Sequence, residues 1–336
     1  MANLLSYNGN VTVLVAINTR DAIVLAADSQ GTVTRPLVDP KDLSEFFDTD
    51  SERRLRTGSD GRPILDTWSR IASHTMELPY KVHTQVEKIF SLEPLKMGVM
   101  ASGIGSIGDR TIKSLLNEFK TIRAFSSLNH SEYNLENTAV LLLDFLSSNY
   151  AKVYPCGGRH EMELMLCGYE KGRFTPGVVR IRVHERAINE PDFDFCIFFG
   201  GITREIQRIL FGIDSVSKTR LIKRGRQLLE TYREQLGRYL SSNNISIELP
   251  EPEPGGELSL FYNVDLDSLQ MNCATYSERD AIECADFLVN VMIKSQRFSN
   301  QVPSTGGDVQ IAIIRKHSGF EFITSRQPYL RGQSGN

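Results

Sequence analysis

Residues 11–17 read VTVLVAI and residues 22–28 read AIVLAAD, two apolar runs joined by the polar quartet NTRD. Runs of this kind with a short polar connection predict a β-hairpin. A strand with one wet face alternates apolar and polar residues. These two barely alternate, so both faces of the hairpin are expected to be covered. An open meander with a solvated face is thereby excluded, and the hairpin calls for a sheet held between other layers.

The rest of the chain supplies those layers. Residues 86–92 (VEKIFSL) and 96–103 (KMGVMASG), joined through Glu93 and Pro94, predict a second hairpin. Helical spacing follows, with Ile107, Ile112, Leu115, Leu116, Phe119 and Ile122 on one face. A second helix is expected over residues 135–150, carrying Val140, Leu141, Leu142, Leu143 and Phe145. Two consecutive helices after two hairpins form a layer, not a crossover between parallel strands. Strands return at MELMLCGYE, VVRIRVHE and FDFCIFFGG, followed by helices over residues 203–211 and 218–240. A long helix opens at Ser277, where Asp280 completes an acidic capping box. Two strands, DVQIAIIRK and FEFIT, close the chain. The expected class is α+β: a four-layer αββα sandwich of two antiparallel sheets between helix layers. The expected organisation is a single domain over residues 1–326, with insertions at about 32–80 and 236–262 and a flexible tail at 327–336.

Composition narrows the function classes. The net charge of -3 argues against nucleic acid or an acidic membrane surface as the main partner. No stretch approaches the ~18 apolar residues that a membrane-spanning helix needs. The opening decapeptide MANLLSYNGN lacks a basic start followed by a long apolar run, so it does not read as a secretory signal. Cys156, Cys167, Cys196, Cys273 and Cys284 are scattered and form no CxxC pair, as expected of reduced thiols in a cytoplasmic protein. The histidines (His74, His83, His130, His160, His184, His317) have no metal-ligand spacing, and no cofactor is expected. Residues 103–108 spell GIGSIG, a literal GxGxxG. The segment after the next helix leads into another helix, not a second parallel strand ending in an acid, so a dinucleotide site is not expected. The basic run KTRLIKRGR over residues 218–226 reads as a solvated helix face or a contact with a neighbouring subunit.

Three blocks then resemble one family in their order and spacing. SYNGNVTVLVAINTRDAIVLAADSQGT resembles the opening of a proteasome β-type subunit, with its hairpin ending in Ala26-Ala27-Asp28-Ser29. HTQVEKIFSLEPLKMGVMASGIGSIGD is similar to the family's next block, where a strand begins at a lysine and a second strand ends in Ser-Gly. IKSQRF followed by VPSTGGDVQIAIIRK is similar to its closing helix, glycine turn and last hairpin. The resemblance implies an N-terminal-nucleophile (Ntn) hydrolase that cleaves peptide bonds. A threonine exposed by removal of a leader attacks the carbonyl, and its own α-amino group takes the proton. Residue by residue, the resemblance places that nucleophile at Thr12, a paired aspartate and lysine at Asp28 and Lys88, and the oxyanion glycine at Gly103. Asp28 also reads as a strand-end aspartate opening a turn, Lys88 as an exposed lysine on an edge strand, and Thr12 as a β-branched strand residue.

The departures bear on activity. Val11 precedes Thr12 where self-processing members carry glycine, and a hairpin longer by two residues would instead align Asn10 with the nucleophile. Phe199, Gly200 and Gly201 of FFGG stand where catalytic members keep a supporting serine. Val302 and Thr305 stand where they keep an aspartate and a serine. The implied partners are identical or homologous subunits in stacked rings, unfolded polypeptide substrates, and an ATP-dependent unfoldase or another activator. The alternative is a noncatalytic structural or assembly subunit of the same kind of ring.

Overall fold

The computed structural model describes residues 12–38, 47–49, 54–64, 75–128, 133–154, 161–243, 245, 247, 271–299 and 303–323, with backbone alone at 33–38 and 75–81. Its strands are β1 (Val13–Asn18), β2 (Ala22–Asp28), β3 (Gly31–Val38), β4 (Thr75–His83), β5 (Ile89–Ser91), β6 (Met97–Gly103), β7 (Ser106–Ile107) and β8 (Arg110–Thr111). They continue with β9 (Met162–Gly168), β10 (Gly177–Arg182), β11 (Ala187–Ile188), β12 (Ile197–Gly201), β13 (Val309–Arg315) and β14 (Gly319–Phe322). The helices are α1 (Ile112–Thr121), α2 (Arg123–Leu128), α3 (Leu135–Val153), α4 (Arg204–Phe211), α5 (Ser215–Ser242) and α6 (Glu278–Arg297). The chain is thus α+β, as expected, with a frame of two antiparallel sheets. One has the order β12-β1-β2-β13-β14 and the other β11-β10-β9-β6-β5.

The first hairpin forms as read. Leu14 pairs with Ala27 and Asn18 with Ile23, and every residue of both strands is buried. The near-absence of alternation has a direct cause. Leu14, Ala16, Ile23, Leu25 and Ala27 meet Met100, Met165 and Cys167 of the second sheet. The intervening Val13, Val15, Ile17, Val24 and Ala26 meet Ala281, Ala285, Leu288 and Met292 of α6, with Ile206 and Leu210 of α4. On the second sheet, Val99, Ala101, Leu164, Leu166 and Val179 pack with α1, α2 and α3. Phe119 lies fully buried in that cluster, 5.0 Å from the ring of Phe125 and 5.6 Å from that of Phe145. Phe119→Ala is expected to lower unfolding stability by about 3–5 kcal/mol, readable as a shift in the urea midpoint.

Several boundaries differ from the sequence reading. Residues 31–38 and 75–83, inside or beside the stretch read as an insertion at about 32–80, pair as the two-stranded sheet β3–β4. Pro36 is accommodated within β3 in this two-stranded ribbon, where each strand has one unpaired edge. Helix α5 runs through Ser242, so the start of the segment read as an insertion from 236 is helical. Residues 248–262 of that segment, and the tail at 327–336, lie outside the described residues.

Helix α5 is amphipathic but buries no residue. Leu221, Leu228, Leu229, Tyr232, Leu236 and Tyr239 are all exposed along it. Its start is fixed by Asp214, which is buried and accepts from Ser217 N at 2.9 Å, Ser217 Oγ at 2.7 Å and Arg208 Nε at 2.8 Å. Burial alone would raise the Asp214 pKa. The hydrogen bonds from Ser217 and Arg208 outweigh it and hold the carboxyl well below its ordinary value. The folded pKa is depressed, so the cap's contribution is complete above the unfolded value of about 3.9 and fades as pH falls below it. Asp214→Ala is expected to remove about 0.5–2 kcal/mol at neutral pH and to abolish this acid dependence, measurable by far-ultraviolet circular dichroism.

Candidate functional site

Strand β2 ends on Asp28, whose side chain is fully buried. Four donors surround its carboxylate. Oδ1 accepts from Lys88 Nζ at 2.8 Å and from Val13 N at 3.0 Å. Oδ2 accepts from Gly306 N at 3.1 Å and from Gln30 N at 3.3 Å. A buried carboxylate is tolerable only when paired and hydrogen-bonded in this way. The pair therefore has the form that the family resemblance implies, and the bland reading of Lys88 as an exposed edge lysine fails: only 5% of it is exposed.

Lys88 is held by its backbone as well. Its N–H donates to Gln310 Oε1 at 3.0 Å, its carbonyl accepts from Ala101 N at 3.0 Å, and Gln310 Nε2 donates to the Val86 carbonyl at 2.8 Å. Burial lowers the Lys88 pKa from its ordinary value, and the charge and hydrogen bond of Asp28 oppose that shift. A buried ammonium with a depressed pKa and a fixed counter-ion is a group suited to stabilising a neighbouring oxyanion or alkoxide.

Thr12 is buried and precedes β1 directly. Its carbonyl accepts from Ile202 N at 2.8 Å, and the amide that follows it, Val13 N–H, is the one bound to Asp28. One peptide unit therefore links Thr12 to the Asp28–Lys88 pair. Gly103 ends β6, two residues beyond Ala101, whose N–H holds the Lys88 carbonyl. Its φ is +90°, and a Cβ there would lie 2.1 Å from the Glu161 carbonyl oxygen, so chain approach alone requires glycine at this position.

Two of the departing positions, Gly201 and Thr305, fall on described residues. Gly201 has φ +73°, and a Cβ on it would stand 1.9 Å from the Thr12 carbonyl oxygen. Any side chain there collides with the residue it was expected to assist. Thr305 is buried, and its N–H donates to Gln296 Oε1 at 2.9 Å while its hydroxyl finds no partner. Val302 lies outside the described residues, as do Asn10 and Val11.

Sequence reasoning missed Gln310 and Gln296. Gln310 had left a signal as the one amide within the apolar run of DVQIAII. Gln296, at the end of α6, had none: its role in holding Ser304 and Thr305 depends on where the chain returns.

Other chemistries find little footing. Burial pushes the thiols of Cys196 and Cys284 up to about 12 and those of Cys167 and Cys273 upward too, which leaves all four protonated at neutral pH. Cys156 lies outside the described residues. Among the described residues no group of three His, Cys, Asp or Glu side chains could hold a metal ion. The glycines of GIGSIG do not open a helix. The β7–β8 hairpin intervenes, and α1 begins at Ile112 with its N-terminus capped by Thr111 Oγ1. Among the described residues no helix is long and apolar enough to cross a membrane. No protein-family model matches the chain, and no curated protein matches it either.

Proposed function

We propose that this chain is a β-type subunit of a proteasome-like, self-compartmentalising threonine peptidase, with the four-layer αββα arrangement of an Ntn hydrolase. The observation that carries the reading is the shared oxygen: Asp28 Oδ1 takes both Lys88 Nζ and the amide that follows Thr12. This holds a buried cation beside the residue that becomes the N-terminus once residues 1–11 are removed.

The reaction follows from that placement. The freed α-amine of Thr12, with an ordinary pKa of about 7.7–8.0, takes the proton of its own Oγ1 as the oxygen attacks a peptide carbonyl. Lys88 lowers the free energy of the developing alkoxide. The tetrahedral intermediate collapses to an ester on Thr12 as the amine product leaves with the proton, and water then hydrolyses the ester. Substrates are unfolded polypeptides admitted to a chamber formed by identical or homologous subunits in stacked rings, supplied by an ATP-dependent unfoldase or another activator. The working compartment is the cytoplasm.

Thr12→Ala tests the nucleophile. Hydrolysis of a fluorogenic peptide should fall by at least about 10³-fold, the order by which loss of a nucleophile lowers catalysis, and an unchanged rate contradicts the assignment. A second reading, a noncatalytic structural subunit of the same kind of ring, is favoured by FFGG, which carries no hydroxyl at residues 199–201 and at Gly201 leaves no room for one beside the Thr12 carbonyl. Under it, neither the native chain nor the variant cleaves peptides.

A further inference from the structure

The inner faces of the two sheets end in polar residues on the side where Thr12 lies. Strand alternation makes this visible. Met100 of β6 and Met165 of β9 point between the sheets, and alternation sends Ser102 and Glu163 to the same face. These two are paired across the ladder, Ser102 opposite Glu163. On the other sheet Leu14 and Ala16 point inward, and alternation carries Thr12 to that face. Gly200, paired with Leu14, has no side chain to fill the space. An ideal Cβ on Gly200 would lie 3.7 Å from Glu163 Oε2, 3.7 Å from Leu14 Cδ1 and 3.3 Å from Met165 Sδ. Glu163 therefore reaches across to β12 at Gly200, whose pairing partner Leu14 lies two residues from Thr12.

Two further observations set these residues apart. Ser102 is 3% exposed, and its hydroxyl is buried without a hydrogen-bond partner. Such an orphan is unfavourable unless something else uses it. Glu163 has one ion contact, Oε1 to Arg180 Nη1 at 3.8 Å, on a pair whose arginine is 33% exposed; its other oxygen is the one that faces Gly200. A carboxylate and a free hydroxyl thus stand paired across β6 and β9 at this end of the sheets.

We infer that Glu163, with Ser102 beside it, is the positioning group of the Thr12 end: the carboxylate accepts from the protonated α-amine and the hydroxyl orients it. The inference rests on the threonine-peptidase reading. The other charged groups at this end are Asp28 and Lys88, which meet each other, and Arg180 behind Glu163. A carboxylate facing the amine raises the amine's pKa. Activity needs the neutral amine, so removing the charge moves the acid limb of the rate profile to lower pH.

The test compares peptide hydrolysis against pH for the native protein, Glu163→Gln, Ser102→Ala and Arg180→Ala, with intact mass measured on each. For Glu163→Gln the acid limb of kcat/KM is expected to move down by about one pH unit. Its kcat is expected to fall about 10- to 100-fold at an almost unchanged KM, because a displaced nucleophile is slower but binds as before. Ser102→Ala should lower kcat without moving the limb. Arg180→Ala removes the same ion pair and keeps the carboxylate, so it should leave kcat and the limb as in the native protein. If Arg180→Ala reproduces Glu163→Gln, or if Glu163→Gln superimposes on the native profile, the inference is overturned while the peptidase reading stands. A native chain that keeps residues 1–11 and cleaves nothing overturns both, and the mass separates the two failures.

Discussion

Asp28→Ala is expected to lower the unfolding free energy by about 3–5 kcal/mol, a large share of what a domain has in reserve. The substitution leaves Lys88 buried with no counter-ion, and it strands the amides of Val13, Gln30 and Gly306. These three amides belong to β1, to the chain leaving β2 and to the turn before β13. The loss should therefore be cooperative across the first sheet and not confined to one end. Urea unfolding would show it as a lower midpoint at an unchanged slope. Adding Lys88→Met should recover part of the loss, because it removes the unpaired charge, but not all, because the three amides still lack an acceptor. A double variant no more stable than Asp28→Ala would mean that the buried charge was not what destabilised it.

Gly201→Ser is expected to be destabilising by about 2–4 kcal/mol and to lower any activity, although it puts a hydroxyl into the FFGG strand end where the family resemblance implies one. Gly201 has φ +73°, which disfavours a side chain by about 1–2 kcal/mol before any contact is counted. Its Cβ would then sit 1.9 Å from the Thr12 carbonyl oxygen, a backbone atom that cannot swing away. That carbonyl accepts from Ile202 N at 2.8 Å, so relief of the clash has to loosen the β1–β12 pairing where Thr12 is held. Thermal unfolding and peptide hydrolysis check the two halves. A Gly201→Ser protein as stable as the native one and more active would show that the site tolerates the serine, contrary to the geometry.

The parts of the fold legible in the sequence were those where burial writes itself into local pattern. The first hairpin was readable because Val13 to Asn18 and Ala22 to Asp28 are covered on both faces, which erases alternation. Helix α6 was readable from Ser277 and Asp280, whose reciprocal cap the structure contains. Strands β3 and β4 were not, because their pairing joins segments nearly forty residues apart and the proline at 36 mimics a loop. The length of α5 was underestimated for a related reason: no residue of it is buried, so no packing stripe marks its ends.

At the site, Asp28 and Lys88 were legible as a pair only through a family resemblance, since sixty residues separate them in the chain. Gln310 had left only the faint signal of one amide in an apolar run, and Glu163 and Ser102 were not legible at all. Their roles come from register across strands that meet only in the folded chain, as when Ser102 falls opposite Glu163.

The central claim is that Thr12 becomes the N-terminus and acts there as the nucleophile. Intact-mass spectrometry of the purified full-length protein tests it most directly. The account predicts a species lacking residues 1–11, beginning at Thr12, and its absence in Thr12→Ala. A native protein whose mass places the N-terminus at Met1 or Ala2 would contradict it.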